Sequence, residues 1–140
     1  MNDDQEDHMA TPTGLGHSLE LRDGDLVFED GRPARISGLP NLAQALTLRV
    51  LTPLGGDRFA TTYGLDVRDV FTRAASVRQA QDLLRLSLVR TLATDRRVRE
   101  IRDIAVLDPP PGAGRRLWRF EVTIVAADGG QHTLPFGVEV

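Results

Sequence analysis

The sequence predicts an α+β fold: N-terminal helices packed on a C-terminal antiparallel β-meander, in a single domain. Three observations carry that expectation. Apolar residues recur at three- and four-residue steps between Leu39 and Pro53 and again from Ser76 to Ala93, which marks helices with one buried stripe. From Trp118 the period falls to two, as in strands with one apolar face. Helices thus precede strands instead of alternating with them. A length of 140 residues suits one modest core.

Residues 1–18 combine acids with Pro12, Gly14 and Gly16 and lack apolar periodicity, so they read as a flexible acidic arm before a domain over 19–140. From Leu19 to Ile36 the pairs Asp23-Gly24 and Asp30-Gly31 predict tight turns between short strands, with Leu26, Val27 and Phe28 as one small strand. Leu39-Pro40-Asn41 opens the first helix, whose stripe is Leu42, Ala45, Leu46 and Val50; Pro53 and Gly55-Gly56 stop it. Asp57 to Gly64 reads as a loop anchored by Phe59 and Tyr63, and Asp66 to Phe71 as a short helix.

The strongest helical pattern runs from Ser76 to Ala93. Ser76 caps it, with Gln79 at the spacing of a capping box, and Val77, Ala80, Leu84 and Leu88 define its apolar face. Arg97 to Leu107 is the expected first strand of the meander. Ile101 and Ile104 fall out of phase there, which predicts a bulge or an irregular start. Three prolines at 109–111 end that strand, since proline has no N–H to donate. Trp118, Phe120, Val122 and Ile124 form the second strand. Asp128-Gly129-Gly130 makes the hairpin turn, and Leu134, Phe136, Val138 and Val140 the third strand.

Charge is uneven within a formal net of −3. Residues 1–30 hold nine acids against Arg22 alone, while Arg68 to Arg119 holds twelve arginines against six acids. The second stretch suits a partner with an acidic face, or simply a solvated basic one. Nucleic acid is not expected, because aromatics are few and no groove-reading motif accompanies the arginines. All 17 basic residues are arginine, which fits interfaces but is explained as well by coding bias. No apolar run approaches the ~20 residues of a membrane span, and the acidic start is the reverse of a signal peptide, so the expectation is a cytoplasmic protein without membrane insertion.

Few residues suggest chemistry. There is no cysteine, and His8, His17 and His132 lack metal-ligand spacing, so no metal or cofactor is expected. Gly14 and Gly16 follow no strand and precede no Gly-Lys-Ser/Thr. Glu20, Asp23, Asp25 and Glu29 are the acids a glycosidase would need to pair. They have no flanking apolar pocket to raise one pKa, and solvated acids are the simpler reading.

Two segments, taken together, carry a resemblance. The first runs from Asn41 to Pro53, followed by Gly55-Gly56-Asp57-Arg58 and Tyr63-Gly64; the second is Thr94-Asp95-Arg96-Arg97-Val98. They resemble the helix-to-loop signature and the Glu-Pro-Arg-Val motif of the baseplate-wedge proteins of contractile phage tails, sometimes labelled lysozyme-like, with counterparts in type VI secretion and extracellular injection particles. Asp95 stands where that family has Glu and Arg96 where it has Pro, and the likeness extends over roughly Asp25 to Val140.

The resemblance implies a non-enzymatic structural subunit, assembled in the cytoplasm and built into a baseplate. Its implied partners are the larger wedge proteins, the sheath protein, and tube or hub proteins as further neighbours. Asp95, Arg96, Arg97 and Val98 would grip the helical bundle of the wedge. A sheet similar to the sheath's handshake domain would accept a sheath strand along Leu134, Phe136, Val138 and Val140. On this reading Arg97 serves the partner, and its removal leaves the domain folded; the alternative is a cluster complementing the helix dipole. Pro135 suits an edge strand, as a place for strand addition or as a guard against aggregation. A peptidoglycan hydrolase, or a small adaptor domain, are the competing functions.

Overall fold

A computed structural model describes residues 14–59, 63–107 and 117–139 of the chain. The loop expected at 109–112, Val140 of the expected third strand and the acidic residues before Gly14 lie outside the described residues.

Six short strands open the fold: β1 (His17–Leu19), β2 (Leu21–Arg22), β3 (Asp25–Leu26), β4 (Phe28–Glu29), β5 (Arg32–Pro33) and β6 (Arg35–Ser37). β1 pairs with β6, while β2–β3 and β4–β5 are successive hairpins. Both hairpins turn through Asp-Gly with positive φ at each residue, +52° and +83° at Asp23-Gly24 and +50° and +75° at Asp30-Gly31. That is the type I′ geometry, whose twist matches the strands it joins. The hairpins meet in a closed ring of hydrogen bonds: Glu20 N–H to Ala34 O (2.9 Å), Ala34 N–H to Val27 O (2.7 Å) and Val27 N–H to Glu20 O (3.1 Å). The ring explains why Leu26, Val27 and Phe28 are not one strand. Turns seven residues apart leave two-residue arms, and Val27 spends its main chain on the junction.

Helix α1 (Gly38–Leu51) buries Leu42, Leu46 and Val50, one residue per turn. The chain returns against its end: Leu65 N–H donates to Thr52 O (2.8 Å) and Leu54 N–H to Leu65 O (3.0 Å). Only glycine fits at Gly64, where φ is +113° and a Cβ would lie 2.4 Å from Thr52 O. Helix α2 (Val67–Arg73) is capped by Asp66, which accepts from Asp69 N–H. Helix α3 (Val77–Ala93) begins at the expected box: Ser76 Oγ accepts from Gln79 N–H, and Gln79 Oε1 reaches back to Ala75 N–H at 2.8 Å.

The sheet is an antiparallel meander in the order β7 (Val98–Leu107), β8 (Leu117–Ala126), β9 (Gln131–Glu139). α3 packs on β7 and α1 on β9, with the two helices touching. Phe120, Val122, Ile124 and Ala126 of β8 are fully buried beneath them, joined by Leu134, Phe136 and Val138 of β9. The protein is an α+β single domain. Leu15 belongs to the same core at 1% exposure. The arm expected over 1–18 therefore gives way at its end: residues 14–18 are part of the fold, because burying Leu15 and pairing β1 with β6 both draw the chain in.

Candidate functional site

The turn from α3 into β7 holds the motif residues. Asp95 ends the helix, donating its N–H to Leu92 O at 3.2 Å, and its carboxylate is 5% exposed. Arg97 grips it twice from the side chain, Nε to Oδ1 at 2.9 Å and Nη2 to Oδ2 at 2.7 Å, and once from the backbone N–H, at 2.9 Å. This fork-to-carboxylate arrangement is a strong form of ion pair. Burial acts to raise the Asp95 pKa, but the hydrogen bonds of Arg97 and the charges of Arg97 and Arg49 outweigh it, holding the carboxyl below its ordinary 3.8. In turn the Asp95 bond raises the pKa of Arg97 against the guanidinium's own desolvation.

Both partners are tied further into the fold. Arg97 Nη1 donates to Leu15 O at 3.2 Å, and Asn41 Nδ2 donates to the same oxygen at 2.9 Å. Arg49 of α1 stands 3.8 Å from Asp95, donates to Thr94 Oγ1 at 2.6 Å, and lies 4.6 Å over the Tyr63 ring. Of the four motif residues, Asp95 and Val98 are buried, Arg97 is half-buried, and Arg96 alone is exposed. The reading of Arg97 as free for a partner is thus revised: two of its side-chain nitrogens clasp Asp95 within the turn, and the third holds the turn to Leu15. It is also not a dipole-complementing end charge, since it bonds a carboxylate instead of the last helical carbonyls.

Sequence reasoning missed the polar row on α1 that receives this segment. Asn41 is 2% exposed and accepts from the Ser18 hydroxyl. Gln44 accepts from Leu21 N–H and donates to Leu19 O, both at 2.8 Å. Two amides three residues apart in the first half of a mostly apolar helix are the signal. Each can give and take one main-chain hydrogen bond, as a passing strand requires. Beside this row a cleft of about 560 Å³ opens, walled by Leu19, Leu21 and Leu26, by Leu48 of α1, and by Arg49 and Arg97.

The sheet has two borders. At the β8–β9 turn Gly129 N–H donates to Ala126 O and Ala126 N–H to Gly130 O, at 2.9 and 3.0 Å. Gly129 takes φ +83°, the three-residue hairpin with a glycine bulge. Antiparallel ladders alternate, so Ile124 with His132, Val122 with Leu134, Phe120 with Phe136 and Trp118 with Val138 exchange hydrogen bonds. The main-chain groups of Gln131, Thr133, Pro135, Gly137 and Glu139 then point away from β8. No strand pairs with that side among the described residues. Leu134, Phe136 and Val138 send their side chains into the core, so this border offers main chain and not those side chains. Pro135 stands where its missing N–H leaves one gap in the row.

The β7 border differs. Its register against β8 slips between Val98 and Glu100 and again between Ile101 and Asp103. The irregularity expected from Ile101 and Ile104 is therefore two bulges, at Arg99 and Arg102.

The acids considered for glycosidase chemistry sit on the hairpins: Asp23, Asp25 and Glu29 are exposed, and Asp25 accepts from Leu26 N–H at 2.8 Å. Among the described residues no three metal-ligating groups converge, and no helix is long and apolar enough to cross a membrane. No family model matches the chain, and neither a curated protein nor a solved structure does.

Proposed function

We propose that this protein is a structural baseplate subunit of a contractile injection particle, linking the wedge to the sheath and templating the first sheath ring by β-strand addition on β9. The observation that carries the reading is the outer border of β9: exposed, unslipped over nine paired positions, and with its main-chain groups turned outward. A foreign strand laid there gains a row of main-chain hydrogen bonds. The likeness of residues 41–64 and 94–98 to baseplate-wedge proteins supplies the setting. Wedge binding is assigned to Arg96 and to the cleft beside the Asp95–Arg97 pair, where leucines and arginines would meet an acidic, apolar helix.

The test separates main chain from side chain. Thr133→Pro removes one outward N–H, while Thr133→Ala keeps it and loses only the side-chain bond to Thr123 (3.0 Å). Co-expressed with the sheath protein of its particle, the alanine variant should nucleate sheath and the proline variant should not, with circular dichroism unchanged for both. Normal sheath on Thr133→Pro would end the proposal.

A further inference from the structure

A strand on the β9 border would meet more than main chain. At the end of β9 lies a pocket of about 320 Å³, with apolar walls from Leu51, Leu65, Val67 and Val138 and polar ones from Asp66 and Arg68. It takes Val138 from β9 and nothing from β8 or β7, so it belongs to the border and not to the middle of the sheet. Leu51, which follows the buried Val50 at the end of the helix that packs on β9, is 60% exposed. An apolar side chain left in water beside unpaired main chain is what a missing strand leaves behind.

Directly opposed residues on neighbouring strands point to the same face. A residue standing across from Val138 on an added strand would therefore face the core side, toward α1 and the pocket. We propose that the pocket selects the incoming strand, accepting an extended partner segment with a branched aliphatic residue, valine, leucine or isoleucine, opposite Val138. The outward N–H and C=O groups supply affinity for any strand, and the pocket supplies the choice among strands. A polar residue there leaves its own groups unpaired. This inference rests on strand addition at β9 and narrows the partner's chemistry.

Seven-residue acetylated peptides, Thr-X-Thr-X-Thr-X-Thr with X as Ala, Leu or Gln, titrated into the full ¹⁵N-labelled chain, test it. The expected result is perturbation along Thr133 and Gly137, with the leucine peptide binding at least tenfold tighter than alanine and glutamine weaker still. Val67→Trp fills the pocket and should bring leucine down to alanine while main-chain perturbation persists. Thr133→Pro should remove all three. If Val67→Trp keeps the leucine preference, or the wild type shows none, the pocket proposal is overturned and strand addition stands. If no peptide perturbs β9 at all, both fall. The amide spectrum of Val67→Trp reports its fold in the same experiment; if it is lost, Leu51→Gln, on the exposed lip, should reduce the preference in its place, and an unchanged preference there overturns the proposal.

Discussion

The two borders of one three-stranded sheet are built for opposite ends. β9 follows β8 for nine consecutive pairs without a slip, while β7 slips twice within its first six residues. A regular border keeps donors and acceptors at a constant repeat, which another strand can match. A bulge inserts an unpaired residue and bends the strand, so the repeat is lost. Arg99, Glu100, Arg102 and Asp103 add charge where the bend already prevents pairing. Composition alone does not make an edge sticky; an unslipped register of outward main chain does.

That contrast can be strained at several points. The largest effect is expected at the root of β7. Asp95→Ala leaves Arg97 and Arg49 facing a vacated site and should cost about 3 kcal/mol of stability, read from the midpoint of denaturant unfolding. The same carboxylate carries a pH signature. Its folded pKa is depressed, so its contribution is complete above the unfolded value near 3.8 and fades as the pH falls through the lower folded value. Asp95→Asn should therefore show a shallower acid limb than the native chain; parallel limbs would remove Asp95 from that role.

Next comes Pro135→Thr, which fills the one gap in the β9 row. Stability should move by less than about 0.5 kcal/mol. Self-association should rise with concentration in analytical ultracentrifugation, as the mended edge pairs with itself. A strictly monomeric variant would mean the border is not competent for strands. The smallest effect belongs to Arg102→Ala on β7. Its pairs with Glu100 at 3.6 Å and Gln131 at 2.9 Å are exposed, so stability should shift by under about 0.5 kcal/mol. The bulges remain, so association should not change. If it does, charge and not register guards that side.

Much of this was legible in the residues. Alternation from Trp118 and the phase error of Ile101 against Ile104 are local patterns, and they returned an unslipped strand pair and a bulged one. Ser76 with Gln79, and the Asp-Gly turns, work through hydrogen bonds within four residues, so they too can be read directly. The hydrogen-bond ring of Glu20, Val27 and Ala34 was not, because each member is ordinary alone and only the shared seven-residue spacing links them. Nor was the inward turn of Arg97. An arginine after a helix reads as a surface charge unless its acceptor, the carbonyl of Leu15, is known to be near. A carbonyl has no residue-type signal.

That bond between Arg97 and Leu15 spans 82 positions. A ribosome releases Leu15 long before Arg97, so this bond closes after those from Asn41 and β6 become possible. Until then the hairpins at 21–33, whose contacts are local, can form with their root held only by β6 and α1. Closing so long a loop carries an entropy cost that only the finished turn can offset. A chain stopped short of Asp95 would thus keep the Asn41 and Gln44 bonds to this segment but lack the clasp of Arg97, which reports that synthesis has passed the middle of the domain.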